Sequence, residues 1–252
     1  MTATPTTTRL TNEQVTFYRD KGYLLPQKPL FSKPEQDALT LIFEEHLKNK
    51  GAKLSDELDT PHFHDKRLLN FLLAPEVLAV VESLIGPNIG LFSSHFICKE
   101  AGKGRRTPWH EDSAYWEGKF DSLDKIVTIW LAIDNANKAN GCMGVVPGTH
   151  THGFSEYEAV EDPEKSTFPT EIKKGTFELH DVVWFELEKG QYSLHDARII
   201  HGANANTSTT RRCGYTMRYF SLDMKFDATN HPNHKLYHAR GENIANTTLI
   251  YR

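Results

Sequence analysis

From Ile89 onward the chain consists of short β-rich runs cut by turn residues: Ile89 to Lys99, Ile126 to Asp134, Val182 to Phe185 and Arg212 to Phe220. Val, Ile, Thr, Tyr, Phe and Trp suit a pleated, half-buried surface, and no helical pattern alternates with these runs. Parallel strands need such crossovers, so the runs predict antiparallel strands folded into a sandwich or barrel. Asn140-Gly141 and Pro147-Gly148 supply turn chemistry for antiparallel connections. Glu156 to Lys174 has no such pattern and predicts a long mobile loop.

The front of the chain reads differently. Thr11 with Gln14, and Ser32 with Glu35, each match a capping box, in which a hydroxyl and an amide or carboxylate satisfy orphan amides of a first helical turn. A helix should follow each box, the first ending near Gly22 and the second burying Leu39, Ile42, Phe43 and Leu47 on one side. A third is expected from Pro75 to Ile85, stopped by Gly86-Pro87. A length of 252 residues suits one large domain. Residues 1–88 would then be mainly helical and pack on the β core of 89–220, with 221–252 as a C-terminal extension.

A net charge of -4 offers no broad basic field for nucleic acid or an anionic membrane, so a small-molecule partner fits better. Cys98, Cys142 and Cys213 are odd in number and contain no C-x-x-C pair, which argues for reduced thiols over a disulfide framework or thiolate zinc site. The opening MTATPTTT lacks the order of a secretory signal, and the apolar stretch from Leu68 to Ile85 is broken by Pro75, Glu76 and Glu82. The expectation is a soluble cytoplasmic protein.

His110-Glu111-Asp112 sets an imidazole and a carboxylate two residues apart, which in extended backbone sends both to one face. With 13 histidines and 33 acidic residues, about 1.7 such triplets arise by chance, so the pair alone is weak. A distant His201 would complete a two-histidine, one-carboxylate triad that leaves one side of Fe(II) open.

The phrases Leu10 to Leu24 (LTNEQVTFYRDKGYL), Thr107 to Trp116 (TPWHEDSAYW), Asn140 to His150 (NGCMGVVPGTH) and Ser193 to Arg212 (SLHDARIIHGANANTSTTRR) resemble, in order and spacing, the phytanoyl-CoA dioxygenase family of iron and 2-oxoglutarate oxygenases. The resemblance implies a double-stranded β-helix (jelly roll, cupin-like) core with flanking helices. It places the iron ligands on His110, Asp112 and His201. It also places the arginine for the far carboxylate of 2-oxoglutarate on Arg212, eleven residues after the distal histidine, and not on Arg211. A guanidinium fork suits that carboxylate, while the 1-carboxylate and 2-keto oxygens of the co-substrate would take two iron positions and O2 a third. The implied reaction hydroxylates an unactivated C–H bond and releases succinate and CO2. Asp112 leaves no vacancy for the chloride that related halogenases bind in place of the carboxylate.

His95 and Trp130 fall where similar proteins line the co-substrate pocket; Trp116 could wall the substrate side. His195, six residues before His201, is expected to face the substrate or orient a ligand. Arg105 and Arg106, with Lys103, could meet an anionic substrate. One departure stands out. The family commonly carries serine two residues after the distal histidine, and this chain has Ala203; losing one neutral hydrogen bond of about 0.5–1.5 kcal/mol predicts weaker co-substrate binding, or a different 2-oxoacid. The competing readings are a zinc-dependent jelly-roll enzyme and a non-catalytic metal-binding module.

Overall fold

The computed structural model describes residues 9–252. The MTATPTTT opening lies outside the described residues. The helices are α1 (Asn12–Lys21), α2 (Lys33–Lys48), the one-turn α3 (Leu69–Leu72) and α4 (Pro75–Ile85). The strands are β1 (Tyr23–Leu24), β2 (Leu58–Asp59), β3 (Ile89–Lys99), β4 (Thr107–His110), β5 (Ile126–Ala132), β6 (Met143–Val145), β7 (Tyr157–Ala159), β8 (Thr170–Ile172), β9 (Val183–Trp184), β10 (Tyr192–Asp196), β11 (His201–Ala203), β12 (Arg212–Ser221) and β13 (Tyr237–Arg240).

Both capping boxes form. Thr11 Oγ1 accepts from the Gln14 amide while the Gln14 side chain accepts from the Thr11 amide, and Glu35 accepts from the Ser32 amide at 3.0 Å. α1 stops at Gly22, whose φ of +76° puts it in the left-handed region that a side chain disfavours. α4 starts on Pro75, which forgoes an amide proton the first turn cannot use, and stops at Gly86.

The strands form an antiparallel jelly roll of two main sheets. The major sheet runs β1-β10-β5-β12-β3-β13, with β2 also on β3, and the minor sheet runs β4-β11-β6-β9. Side chains alternate across a strand, so β12 sends Cys213, Tyr215, Met217 and Tyr219 outward and Arg212, Thr216 and Arg218 into the interior between the sheets. The outward set packs with Leu39 and Phe43 of α2 and Val77 and Val81 of α4 in the largest apolar cluster. Each such fully buried side chain contributes about 1.5–3 kcal/mol, and the major sheet is thereby clamped to the helices while its other face stays free to line a cavity.

One segment departs from expectation. Residues 156–174 carry a hairpin, β7 on β8, with Tyr157 opposite Ile172 and Glu158 opposite Glu171. Three-residue strands are too short for alternation to show in the sequence. Residues 221–252 are joined to the core: β13 pairs with β3, placing Tyr237 opposite Leu91. Among the described residues no single helix is long and apolar enough to cross a membrane. One pair bent by 56°, Lys66–Leu72 with Pro75–Ile85, passes by length and composition, but its Leu68, Leu72, Val77 and Val81 lie in the core.

Candidate active site

β4 and β11 are neighbours in the minor sheet, and His110 stands directly opposite His201. Glu111 is extended (φ -109°, ψ 133°) and turns away to accept hydrogen bonds from Ser155 and Tyr157, which leaves His110 and Asp112 on the other side. Asp112 then opens a one-turn 3-10 helix. One potential ligand atom each from His110, Asp112 and His201 lies within 4.8 Å of the others, all three residues buried. The Nδ1 atoms of His110 and His201 meet the carbonyls of Pro108 and Ile199 at 2.7 and 3.0 Å. A carbonyl only accepts, so each Nδ1 carries the proton and each Nε2 keeps its lone pair for a metal.

The two oxygens of Asp112 face different partners. Oδ1 lies 3.8 Å from His110 Nε2. Oδ2 receives Arg218 Nε at 3.4 Å and Thr128 Oγ1 at 3.5 Å, with His195 Nε2 3.9 Å away. Burial alone would raise the Asp112 carboxyl, but Arg218, then His195, His201 and His110, outweigh it and hold the group well below the usual carboxylate range. Burial pushes both triad histidines down, His201 well below its ordinary value. An ionised carboxylate and two neutral imidazoles are the donor set a divalent iron needs.

A cavity of about 790 Å³ opens on this cluster. At one end Arg212 is buried, its guanidinium carbon 5.1 Å from the centroid of Trp130, and among the described residues its only acceptor is the Gly141 carbonyl. Burial lowers Arg212 to about 10, which leaves it cationic at neutral pH. No carboxylate pairs with it among the described residues, although a buried charge is costly unless paired. Space for Trp130 comes from Gly214: a Cβ there would sit 2.0 Å from Cζ2 of the indole. Met143, Gly202, Ala203 and Thr216 also line the cavity. The buried Arg212 without an anion, beside three convergent ligand atoms, fits both iron and 2-oxoglutarate.

Other expected residues fall in varied places. His195 lines the cavity beside Asp112, its buried Nδ1 without a partner among the described residues, and stays outside the three-residue ligand cluster. His95 lines it too and bonds the Asp56 carbonyl through Nε2 at 2.9 Å. Trp116 forms part of the wall beneath Arg218, with the guanidinium carbon 5.4 Å from its ring. Arg105 reaches the cavity with its fork held by Asp56, Glu57 and the Ser166 carbonyl. Arg106 forks onto Glu171 and is not among the lining residues. Arg211 is tied to Glu44 and Asp134 on the helix side.

Sequence reasoning passed over several residues. Arg218 follows from stepping by two along β12 from Arg212. Lys99, opposite Arg212 in the register, is buried and donates to the Ala203 and Asn204 carbonyls, bracing the end of β11. Asn230, His231 and His234, which line the cavity from the C-terminal segment, carry no local signature.

The profile of the family described as phytanoyl-CoA dioxygenase (PhyH) matches residues 10–214. The chain belongs to the phytanoyl-CoA dioxygenase family. The peroxisomal phytanoyl-CoA dioxygenase of Homo sapiens is 29% identical over 169 residues, which cover 64% of this chain and 48% of that one. The chain thus spans about half the length of that relative. Among solved structures, the apo form of the non-heme monooxygenase ThoJ superposes with a TM-score of 0.76 at 20% identity, covering 94% of this chain and 86% of that one. The non-heme alpha ketoglutarate dependent carbocyclase SnoK from nogalamycin biosynthesis gives 0.68 at 24% identity, covering 93% and 95%. These likenesses establish the jelly-roll fold for this member of the phytanoyl-CoA dioxygenase family.

Proposed function

We propose that the protein is an Fe(II)- and 2-oxoglutarate-dependent dioxygenase that hydroxylates an unactivated C–H bond of a small molecule and releases succinate and CO2. The observation that carries this reading is the pairing, in one cavity, of the His110, Asp112 and His201 cluster with a buried arginine that has no anionic partner. In the bound state iron would supply oxygen activation driven by oxidative decarboxylation of the co-substrate.

The chain's own residues do the rest. His110 and His201 present Nε2 because backbone carbonyls hold their Nδ1 protons. Asp112 presents one oxygen because Arg218 and Thr128 hold the other. Arg212 would anchor the far carboxylate of 2-oxoglutarate in a low-dielectric site where a charge-assisted pair is strong. Trp130 and Met143 wall that end against water. Hydroxylation is preferred over halogenation because Asp112 fills the position where chloride would have to bind.

The test is anaerobic optical titration with Fe(II) and then 2-oxoglutarate. The expected result is a weak visible charge-transfer band that requires both components and fades in Arg212→Ala. Absence of a band in iron-loaded protein would sink the reading. Succinate release, followed across candidate substrates, would then separate hydroxylation from other outcomes.

A further inference from the structure

Arg212 has a counterpart on its own strand. Arg218 lies six residues further along β12 on the same face, about 20 Å away between Cα atoms at roughly 3.4 Å per residue, and it too lines the cavity. Its Nε reaches Asp112, its guanidinium rests over Trp116, and neither terminal nitrogen finds an acceptor among the described residues. The neighbouring arginines contrast with it. Arg105, Arg106, Arg198 and Arg211 each commit their forks to carboxylates. Arg218 shares a single carboxylate, and that carboxylate belongs to the ligand cluster.

The charges around the cavity sharpen this point. Arg105 answers Asp56 at 2.7 Å. A divalent metal with 2-oxoglutarate would answer Asp112 and Arg212. Glu57, which also meets Arg105 at 3.3 Å, and Asp59 sit at the rim with side chains 46% and 64% exposed, so they keep their water, and Lys119 lines the cavity as a further cation. The Arg218 side chain is 12% exposed, and its free nitrogens face the cavity. A guanidinium carries five donors in a fixed fork that matches a carboxylate in two-pronged fashion. Trp116 lies under it, and Phe63, Phe92 and Phe168 add apolar wall elsewhere in the same cavity.

We infer that the primary substrate is an organic carboxylate with an apolar body, anchored by its acid group on the terminal nitrogens of Arg218. This rests on the iron and 2-oxoglutarate reading above. Arg218 thereby sets specificity from a position beyond residue 214, where the family match ends. The Arg105 and Arg106 pair, whose forks are already occupied, is not required for it.

The experiment uses the whole chain loaded anaerobically with Mn(II), which binds without turnover, and followed by calorimetry. The first arm titrates 2-oxoglutarate into wild type and Arg212→Ala; if it does not bind, the co-substrate reading fails, independently of Arg218. With 2-oxoglutarate saturating, the second arm titrates three matched pairs: benzoate and benzamide, 4-phenylbutyrate and 4-phenylbutyramide, decanoate and decanamide. At least one acid is expected to bind about tenfold or more tightly than its amide. Arg218→Gln should erase that preference, read as the acid-to-amide affinity ratio with Mn(II) and 2-oxoglutarate both saturating, a ratio in which any weakening of the metal through Asp112 cancels. Arg218→Lys, which keeps the charge without the fork, should retain part of it and decides the matter if the glutamine variant does not fold. The inference is overturned if no acid outbinds its amide, or if the preference survives both substitutions. It is equally overturned if Arg218→Gln weakens Mn(II), acid and amide together, since Arg218 would then only position Asp112.

Discussion

The two faces of the major sheet are both buried, yet they hold different things. Facing the helices, β3 and β12 bring together Phe96, Cys98, Cys213, Tyr215, Met217 and Tyr219, with the Phe96 and Tyr215 rings stacked 4.1 Å apart. Several polar groups there are tied internally: Tyr215 donates to Ser94, Ser94 meets His62 Nδ1 at 2.7 Å, and Tyr219 donates to the Leu72 carbonyl at 2.7 Å, while His62 Nε2 and the Tyr192 hydroxyl have no partner among the described residues. Facing the cavity, the same strands present His95, Thr216, Arg212 and Arg218, whose bonding capacity is partly open. The difference teaches that one strand can carry the fold on one side and ligand chemistry on the other, because successive side chains alternate.

Substitutions can break or sharpen that contrast. The largest effect is expected on the helix side: Phe96→Ala should cost about 3–5 kcal/mol by leaving a cavity against Tyr215, seen as a lower urea midpoint, while 2-oxoglutarate affinity of the folded protein stays put. A matching loss of affinity would show that the two faces are not separable. On the cavity side, Arg212→Ala should remove a charge-assisted bond of about 1.5–3 kcal/mol, weakening 2-oxoglutarate by roughly 10- to 150-fold. Its urea midpoint should hold or rise, because an unpaired buried cation is gone.

A pH effect comes next and belongs to the helix side. Burial, with smaller contributions from His234 and Lys235, lowers His62 from its ordinary 6.5 to about 3. Between those values the unfolded chain takes up a proton that the folded chain refuses, so stability is present above pH 6.5 and is lost as pH falls toward 3. At pH 5 the loss is about 2 kcal/mol for this one group. Thermal melts at pH 7 and pH 5 should therefore diverge less in His62→Gln than in wild type; equal divergence would remove His62 from the account. Smallest is Tyr219→Phe, which forfeits the bond to Leu72 and should cost about 0.5–1.5 kcal/mol in urea melts with no change in ligand binding.

How much of this was legible in the sequence follows the same division. The capping boxes, the helix from Pro75 to Ile85 and the strand from Ile89 to Lys99 were readable because their signals are local and strong. Bringing His110 to His201 required pairing β4 with β11, strands of four and three residues that no periodicity reveals; only the resemblance of whole phrases connected them. Arg212 was separated from Arg211 by the family spacing, and alternation in β12 gives the physical reason: one faces the cavity, the other Glu44. The hairpin of residues 157–172 and the C-terminal wall at Asn230 to His234 stayed hidden because their placement depends on distant partners such as Phe92, whose carbonyl meets His234 at 2.8 Å.

Gly214 has a consequence for how such a chain can change over generations. Any side chain at that position collides with the indole of Trp130, which is the same ring that lies under Arg212. A lone mutation there therefore damages the neighbour before it can offer anything new. Only after residue 130 has become smaller is position 214 released to vary, so the order of the two steps is imposed by sterics. Lineages that remodel this end of the cavity are expected to pass through position 130 first.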